Sequence, residues 1–264
     1  MFGGRLNGKA GNAKCGWMLM AVGLLLMKPL WALEQSDMVL MLGQYNMLSG
    51  DLGMIGYNPE NGEYLQEAQD TFDSISADME QWISALPEEK RATAEQEWKG
   101  LTGLLVGEKG YPGLLDGYDL NSDAAQRIHF DALQAILTAT PEMADAELSD
   151  MQQLYLKISS AVAGYVSLTS NPFGSMAMSM NDGDLRLVTL AADIDGLFTK
   201  AISEAKDDLT KQQLRRQQSK WQFIRGTVVQ ASQSAMPYIV RYQGKQMLRE
   251  LGMLIENSQA PAVQ

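Results

Sequence analysis

Cysteine and histidine are almost missing from this 264-residue chain, which holds one of each. The single cysteine, Cys15, excludes an internal disulfide and any cysteine-based metal centre. It lies in the leader described below, so the rest of the chain has no thiol for a Cys–His nucleophilic pair. A Ser–His–acid triad would have to use His129, which sits between Ile128 and Phe130 on an expected helix, where a structural histidine is the simpler reading. There is no P-loop and no G-x-G-x-x-G after a strand, because no segment sustains the period of two that marks a strand. Acids outnumber bases 32 to 21, which argues against nucleic acid as a partner.

What is present begins with the leader. Residues 1–32 contain Arg5, Lys9, Lys14 and Lys28 and no acid, and an apolar run from Trp17 to Met27 lies between Lys14 and Lys28. Basic residues, a short apolar core and a small residue ahead of a polar segment form an export signal, with cleavage expected after Ala32. The run is too short to cross a bilayer as a helix, and Lys28-Pro29 closes it. The chain is therefore expected in the periplasm, the alternative being an inner-membrane anchor through residues 15–33. Cys15 precedes the apolar run, the wrong side for a lipid-anchoring cysteine.

Charge is distributed unevenly beyond the leader. Residues 33–199 hold 7 Lys and Arg against 27 Asp and Glu, whereas residues 200–264 hold 10 against 5. Such asymmetry suits either a basic end that meets an acidic or membrane-facing partner, or one that packs beside the acidic helices and neutralises them.

Apolar residues recur at helical spacing. Met38, Met41, Tyr45, Leu48, Leu52 and Ile55 step by three and four, as do Ala68, Phe72, Ile75, Met79, Trp82 and Leu86, then Ala94, Trp98, Leu101 and Leu105. Ala144, Leu148, Met151, Tyr155, Ile158, Val162 and Tyr165 continue the pattern, followed by Leu187, Leu190, Ile194, Leu197 and Ala201. Trp221, Ile224, Val228 and Ala231, then Met247, Leu251 and Leu254, complete it. Asn58-Pro59 and Thr140-Pro141 read as caps with proline in the first turn, Ser122-Asp123 as a further helix start, and Pro87 as a separator. Pro237 predicts a kink or break. Long loops are expected over 107–121 and 169–183. The chain thus predicts an all-α fold of seven to eight antiparallel helices over residues 33–264, as one elongated bundle or two in tandem with a boundary in the 107–121 loop.

Motifs for chemistry are sparse. Ser203-Glu204-Ala205-Lys206 matches S-x-x-K, but the S-D-N and K-T-G elements of that enzyme class are missing. Asp119, Asn121 and Asp123 imitate the start of a calcium loop, yet Ala124 and Phe130 stand where its glycine and glutamate belong. Met176, Met178 and Met180 form an M-x-M-x-M run, and soft thioethers suit Cu(I) outside the cytoplasm, although methionines also fill gaps under loops. Lys211, Arg215, Arg216, Lys220 and Arg225 accompany Trp221 and Phe223 on one expected helix, a surface for an acidic ligand or partner or an ordinary solvated face.

The segment Gly43-Gln44-Tyr45-Asn46-Met47-Leu48-Ser49-Gly50-Asp51 resembles the first-helix signature of the extracytoplasmic sensor domain of type IV pili methyl-accepting chemotaxis proteins, Gly-Arg-Gln-Arg-Met-Leu-Ser-Gln-Arg. The resemblance rests on Gly43, Met47, Leu48 and Ser49, and a fainter echo runs from Gly244 to Arg249. It implies a helical bundle outside the cytoplasmic membrane that binds a small ligand or a pilus component. The family's arginines fall on Gln44, Asn46 and Asp51, so an arginine–anion contact is lost there.

These readings converge on a non-enzymatic, sensor-like binding module without a cofactor, serving an envelope or pilus-type system. Its candidate binding residues are Tyr45, Ser49, Arg215, Arg216, Trp221 and Arg225, and its expected partner is an envelope or membrane protein or a small acidic ligand. An assembly factor of an envelope machine is the alternative, and a copper binder using Met176, Met178 and Met180 the second.

Overall fold

Helical spacing in the sequence becomes helix in the structure, a computed structural model that describes residues 35–58, 62–105, 131–139 except 137, 147–170, and 180–259 except 232 and 234. The chain is all-α, and no strand occurs among the described residues. Seven long helices are described: α1 Gln35–Tyr57, α2 Gly62–Ala85, α3 Glu88–Leu105, α4 Asp150–Ser170, α5 Met180–Glu204, α6 Asp208–Val229 and α7 Pro237–Gln259. Residues 131–136 are helical as well. The chain divides into two units, 1–32 and 33–264, and all of the described residues belong to the second. The expected leader, its membrane-anchored alternative, the 107–121 boundary, the Thr140-Pro141 and Ser122-Asp123 helix starts, the calcium-like residues and His129 lie outside the described residues. Among the described residues, no helix is long and apolar enough to cross a membrane.

The helix at the centre is α4, which packs on α1, α5 and α7. Burial follows from that position: Leu154, Tyr155, Ile158, Ala161, Val162, Tyr165 and Val166 are all buried, more than one stripe of a helix can supply. Likewise α1, enclosed by α2, α4 and α7, buries Val39, Leu42, Met47 and Met54 beside its expected stripe. On α5 the burden falls on Leu187, Ala191, Ile194, Phe198 and Ala201, while Leu190 and Leu197 are only partly covered. The single-stripe expectation is therefore too narrow for helices with several neighbours.

Close approach to α4 is made possible by glycine. A Cβ on Gly43 of α1 would lie 2.1 Å from Cε1 of Tyr155, and one on Gly244 of α7 would lie 2.6 Å from Cγ1 of Val162. Hydrogen bonds reinforce these seams: Asn46 Nδ2 donates to Ser159 Oγ at 3.0 Å, and the Met236 N–H donates to the Tyr165 hydroxyl at 2.8 Å.

Helix ends are set by local chemistry. Pro87 separates α2 from α3, where Phe72 and Trp98 stack with ring centroids 5.9 Å apart. The stripe read from Ala144 onward places Leu148 within α4, but the helix starts at Asp150. A capping box, Ser149 Oγ accepting the Gln152 N–H and Gln152 Oε1 accepting the Ser149 N–H, fixes that start. Asp207 caps α6 by accepting the Thr210 N–H at 2.8 Å. Pro237 opens α7 rather than kinking a continuous helix, since the first turn needs no donor at that position. The loop expected over 169–183 is shorter at both ends, with α4 reaching Ser170 and α5 starting at Met180.

Candidate functional site

A charged residue inside each of two apolar stripes marks the site. Asp51 follows Leu48 by three positions and precedes Ile55 by four, so it falls on the buried face of α1. Arg241 lies beside Val240 and one turn before Gly244 and Lys245 on α7. Neither can face the core alone, because an unpaired buried charge is costly. The fold joins them: Arg241 Nε donates to Asp51 Oδ1 at 2.7 Å, with Asp51 fully buried and Arg241 4% exposed. Arg241 also pairs with Glu67 of α2 at 2.7 Å, and Lys245 reaches Asp51 Oδ2 at 2.9 Å and Glu67 at 3.2 Å. Two cations thus meet two anions from α1 and α2. The Tyr64 ring adds a cation–π contact, 5.2 Å from the guanidinium carbon. Burial works against ionisation of Glu67, but Lys245 and Arg241 outweigh it and hold the carboxyl below its usual range. Arg241 shows the same balance from the other side, since burial opposes its charge while Asp51 and Glu67 raise its pKa.

Beside this cluster a groove of about 520 Å³ opens between α1, α2 and α7. Leu40, Met47, Tyr155, Leu248 and Met253 supply apolar lining, and Gln44, Asp70, Thr71, Ser74, Lys245, Arg249 and Glu256 supply polar groups. Two of these have unspent bonding capacity. Gln44 Oε1 is buried and has no hydrogen-bond partner, and Arg249 is exposed with no ion pair among the described residues. The Tyr155 phenol is pushed strongly upward by burial, with Glu256 adding to the effect, so it stays protonated and serves as a wall rather than a base. Lys245 is committed to two carboxylates. The lining therefore offers shape, hydrogen-bonding groups and, among the described residues, one cation without an ion pair.

The two segments that echo each other in sequence meet at this groove. Gly43 and Gly244 both lie against α4, while Gln44 and Met47 of the first segment and Lys245, Leu248 and Arg249 of the second line the opening. At the N-terminal end of α7 lies an aromatic patch. Tyr238 is 55% and Tyr242 50% exposed, their rings stacked at 6.4 Å, with Met236 and Ile239 exposed nearby.

The six residues named from the sequence lie on α1 and α6 and differ in burial. Tyr45 lies in the core at 1% exposure, and burial drives its phenol pKa far upward. Ser49 is partly buried and donates to the Asn46 carbonyl at 2.8 Å. Trp221 is fully buried, and its indole N–H donates to Asp195 Oδ1 at 2.9 Å. Arg225 pairs with Asp195 Oδ2 at 2.6 Å, Lys220 pairs with Glu250 at 2.7 Å, and Gln217 donates to the same carboxylate. Much of the basic helix α6 thereby neutralises acids of α5 and α7. Arg215 and Arg216 are exposed. Met176 and Met178 lie outside the described residues, as does the side chain of Met180; among the described residues no His, Cys, Asp and Glu cluster could hold a metal ion.

Gln44 and Arg249 lie in the two segments that carry the resemblance but are not among the candidate residues, nor is Met253, because residues beside a stripe read as its solvated flank. The usable signal was the lone acid and lone base on buried faces.

Compared with protein families, characterised proteins and solved structures, the chain finds no match.

Proposed function

We propose that this chain is an exported, non-enzymatic and sensor-like binding module, which takes up its ligand or partner in the groove between α1, α2 and α7 and serves an envelope or pilus-type system. The observation that carries this reading is the lining of the groove, which holds a buried amide oxygen on Gln44 without a hydrogen-bond partner and an exposed Arg249 without an ion pair among the described residues. A protein that used the groove only for packing would gain by satisfying the buried Gln44 oxygen. Arg249 favours a carboxylate or similar anion on the occupant, and Gln44 favours a hydrogen-bond donor. The sensor-like element rests on the resemblance around Gly43, Met47, Leu48 and Ser49. Export rests on the composition of residues 1–32.

The second reading is an assembly factor of an envelope machine. It is favoured by the patch of Met236, Tyr238, Ile239 and Tyr242, because exposed aromatic surface recruits partners. Crosslinking of the tagged chain in cells, with mass-spectrometric identification of what is captured and fractionation of the envelope, tests both. Capture of a membrane receptor or pilus-type component supports the sensor reading. Capture of structural subunits through the tyrosine patch supports the second, and a cytoplasmic chain with no envelope contact refutes both.

A further inference from the structure

A second cavity, of about 410 Å³, lies where the N-terminal ends of α4 and α6 meet the C-terminal end of α5. It is built from different residues than the groove. Three carboxylates line it, Glu147, Asp150 and Glu204, against one ammonium, Lys200. Lys200 Nζ sits 2.9 Å from Asp150 Oδ1, on a side chain that is 58% exposed. The Asp150 side chain is only 10% exposed, and its second oxygen, Oδ2, is buried with no hydrogen-bond partner among the described residues. Glu147 and Glu204 carry no ion pair among the described residues, and both lie close enough to Lys200 to add to the upward pull that Asp150 exerts on its pKa.

Charge and shape together narrow the occupant. Three anions to one cation leave the cavity with an excess of negative charge, and a carboxylate oxygen without a donor is an unmet demand for N–H or O–H groups. One oxygen of Asp150 already accepts an ammonium, from an exposed side chain. Leu148, Met151 and Leu214 form an apolar wall beside the carboxylates. Among the described residues no carboxylate group of three is placed to hold a metal ion, so the built feature is an anion beside a hydrocarbon surface.

We propose that this cavity binds a primary alkylammonium ion, its N–H groups donating to Asp150 and Glu204 and its methylene chain lying along Leu148, Met151 and Leu214. Lys200 is then an internal competitor, an ammonium on a tether that the ligand displaces or joins. The site is independent of the groove.

Calorimetric titration of the purified full chain with n-butylamine and putrescine, at a pH where both are charged, tests this. Saturable binding is expected. Asp150→Asn should weaken it tenfold or more, and Lys200→Met should tighten it severalfold by removing the competitor. Tetramethylammonium, which has no N–H, should not compete. Nα-acetyllysine methylamide presents the same ammonium on a peptide frame. Tighter binding of that probe than of butylamine would assign the ammonium to a partner's lysine, and the reverse would assign it to a free amine; either supports the site. Circular dichroism checks each variant, and exposed Lys200 provides a variant that leaves the fold intact. No saturable binding of either amine, unchanged affinity in a folded Asp150→Asn, or unchanged or weaker binding in Lys200→Met overturns the proposal.

Discussion

Arg241 of α7 donates through Nε to Asp51 of α1 at 2.7 Å, across 190 positions of sequence and inside the core. Removing one partner leaves the other charge buried, whereas removing both leaves an apolar gap that packing can fill. Asp51→Leu or Arg241→Met should each cost about 3–5 kcal/mol. The double variant Asp51→Leu with Arg241→Met should cost clearly less than the sum. Urea unfolding of the four proteins measures the coupling; additive losses would mean that the pair contributes nothing as a pair.

Glycine contacts with α4 give a second prediction. Gly244→Ala puts a Cβ 2.6 Å from Val162, and Gly43→Ala puts one 2.1 Å from the Tyr155 ring. Each should lose roughly 1–3 kcal/mol through forced repacking. Gly226→Ala, with open space at that position of α6, should instead gain roughly 0.5–1 kcal/mol from helix propensity. Thermal melting of the three variants decides whether contact or composition governs the effect.

How much of this was open to reading from the chain differs by element. Alternating steps of three and four located α1 to α7, and Pro87 and Pro237 located two breaks, because helix periodicity and proline sterics are local. The breadth of burial on α1 and α4 was not local: it depends on how many neighbours surround each helix. The start of α4 was misplaced because Ala144 and Leu148 extend its stripe, and only the Ser149–Gln152 box shows that the helix starts later. For the site, Trp221 and Arg225 drew attention as aromatic and basic residues on one helix. Their commitment to Asp195 depends on α5 packing against α6. Asp51 and Arg241 were the better clue, each being the wrong polarity for its face.

Acid should loosen the α6–α7 seam. Burial works against ionisation of Glu250, but hydrogen bonds from Lys220 and Gln217 together with the Lys220 charge hold its carboxyl below the ordinary 4.5. A carboxylate depressed in the folded state stabilises above its unfolded value, and that contribution disappears as pH falls through the folded value. Urea midpoints should therefore drop between about pH 5 and 3. The drop should be smaller in Glu250→Gln, which starts lower at neutral pH. An identical pH profile in both proteins would refute the assignment.

Charge on α6 separates a surface role from a structural one. Asp195→Ala strips the acceptor from the buried Trp221 N–H and the partner from Arg225, and should cost about 1–3 kcal/mol. Reversal of exposed Arg215 and Arg216 to glutamate should leave the melting temperature nearly unchanged. Retention of every captured partner in that double reversal would remove the two arginines from the binding surface; loss of capture in a protein that still melts normally would place them on it.

The most direct test of the groove is site-specific photocrosslinking in cells, with a photoreactive residue at Met253 on the groove or at Phe223 on the exposed face of α6, followed by intact-mass and peptide analysis. A defined adduct at Met253, lost in Arg249→Glu and not formed from Phe223, is the predicted result. Adducts that form from Phe223 and not from Met253, or that survive Arg249→Glu unchanged, would contradict the account.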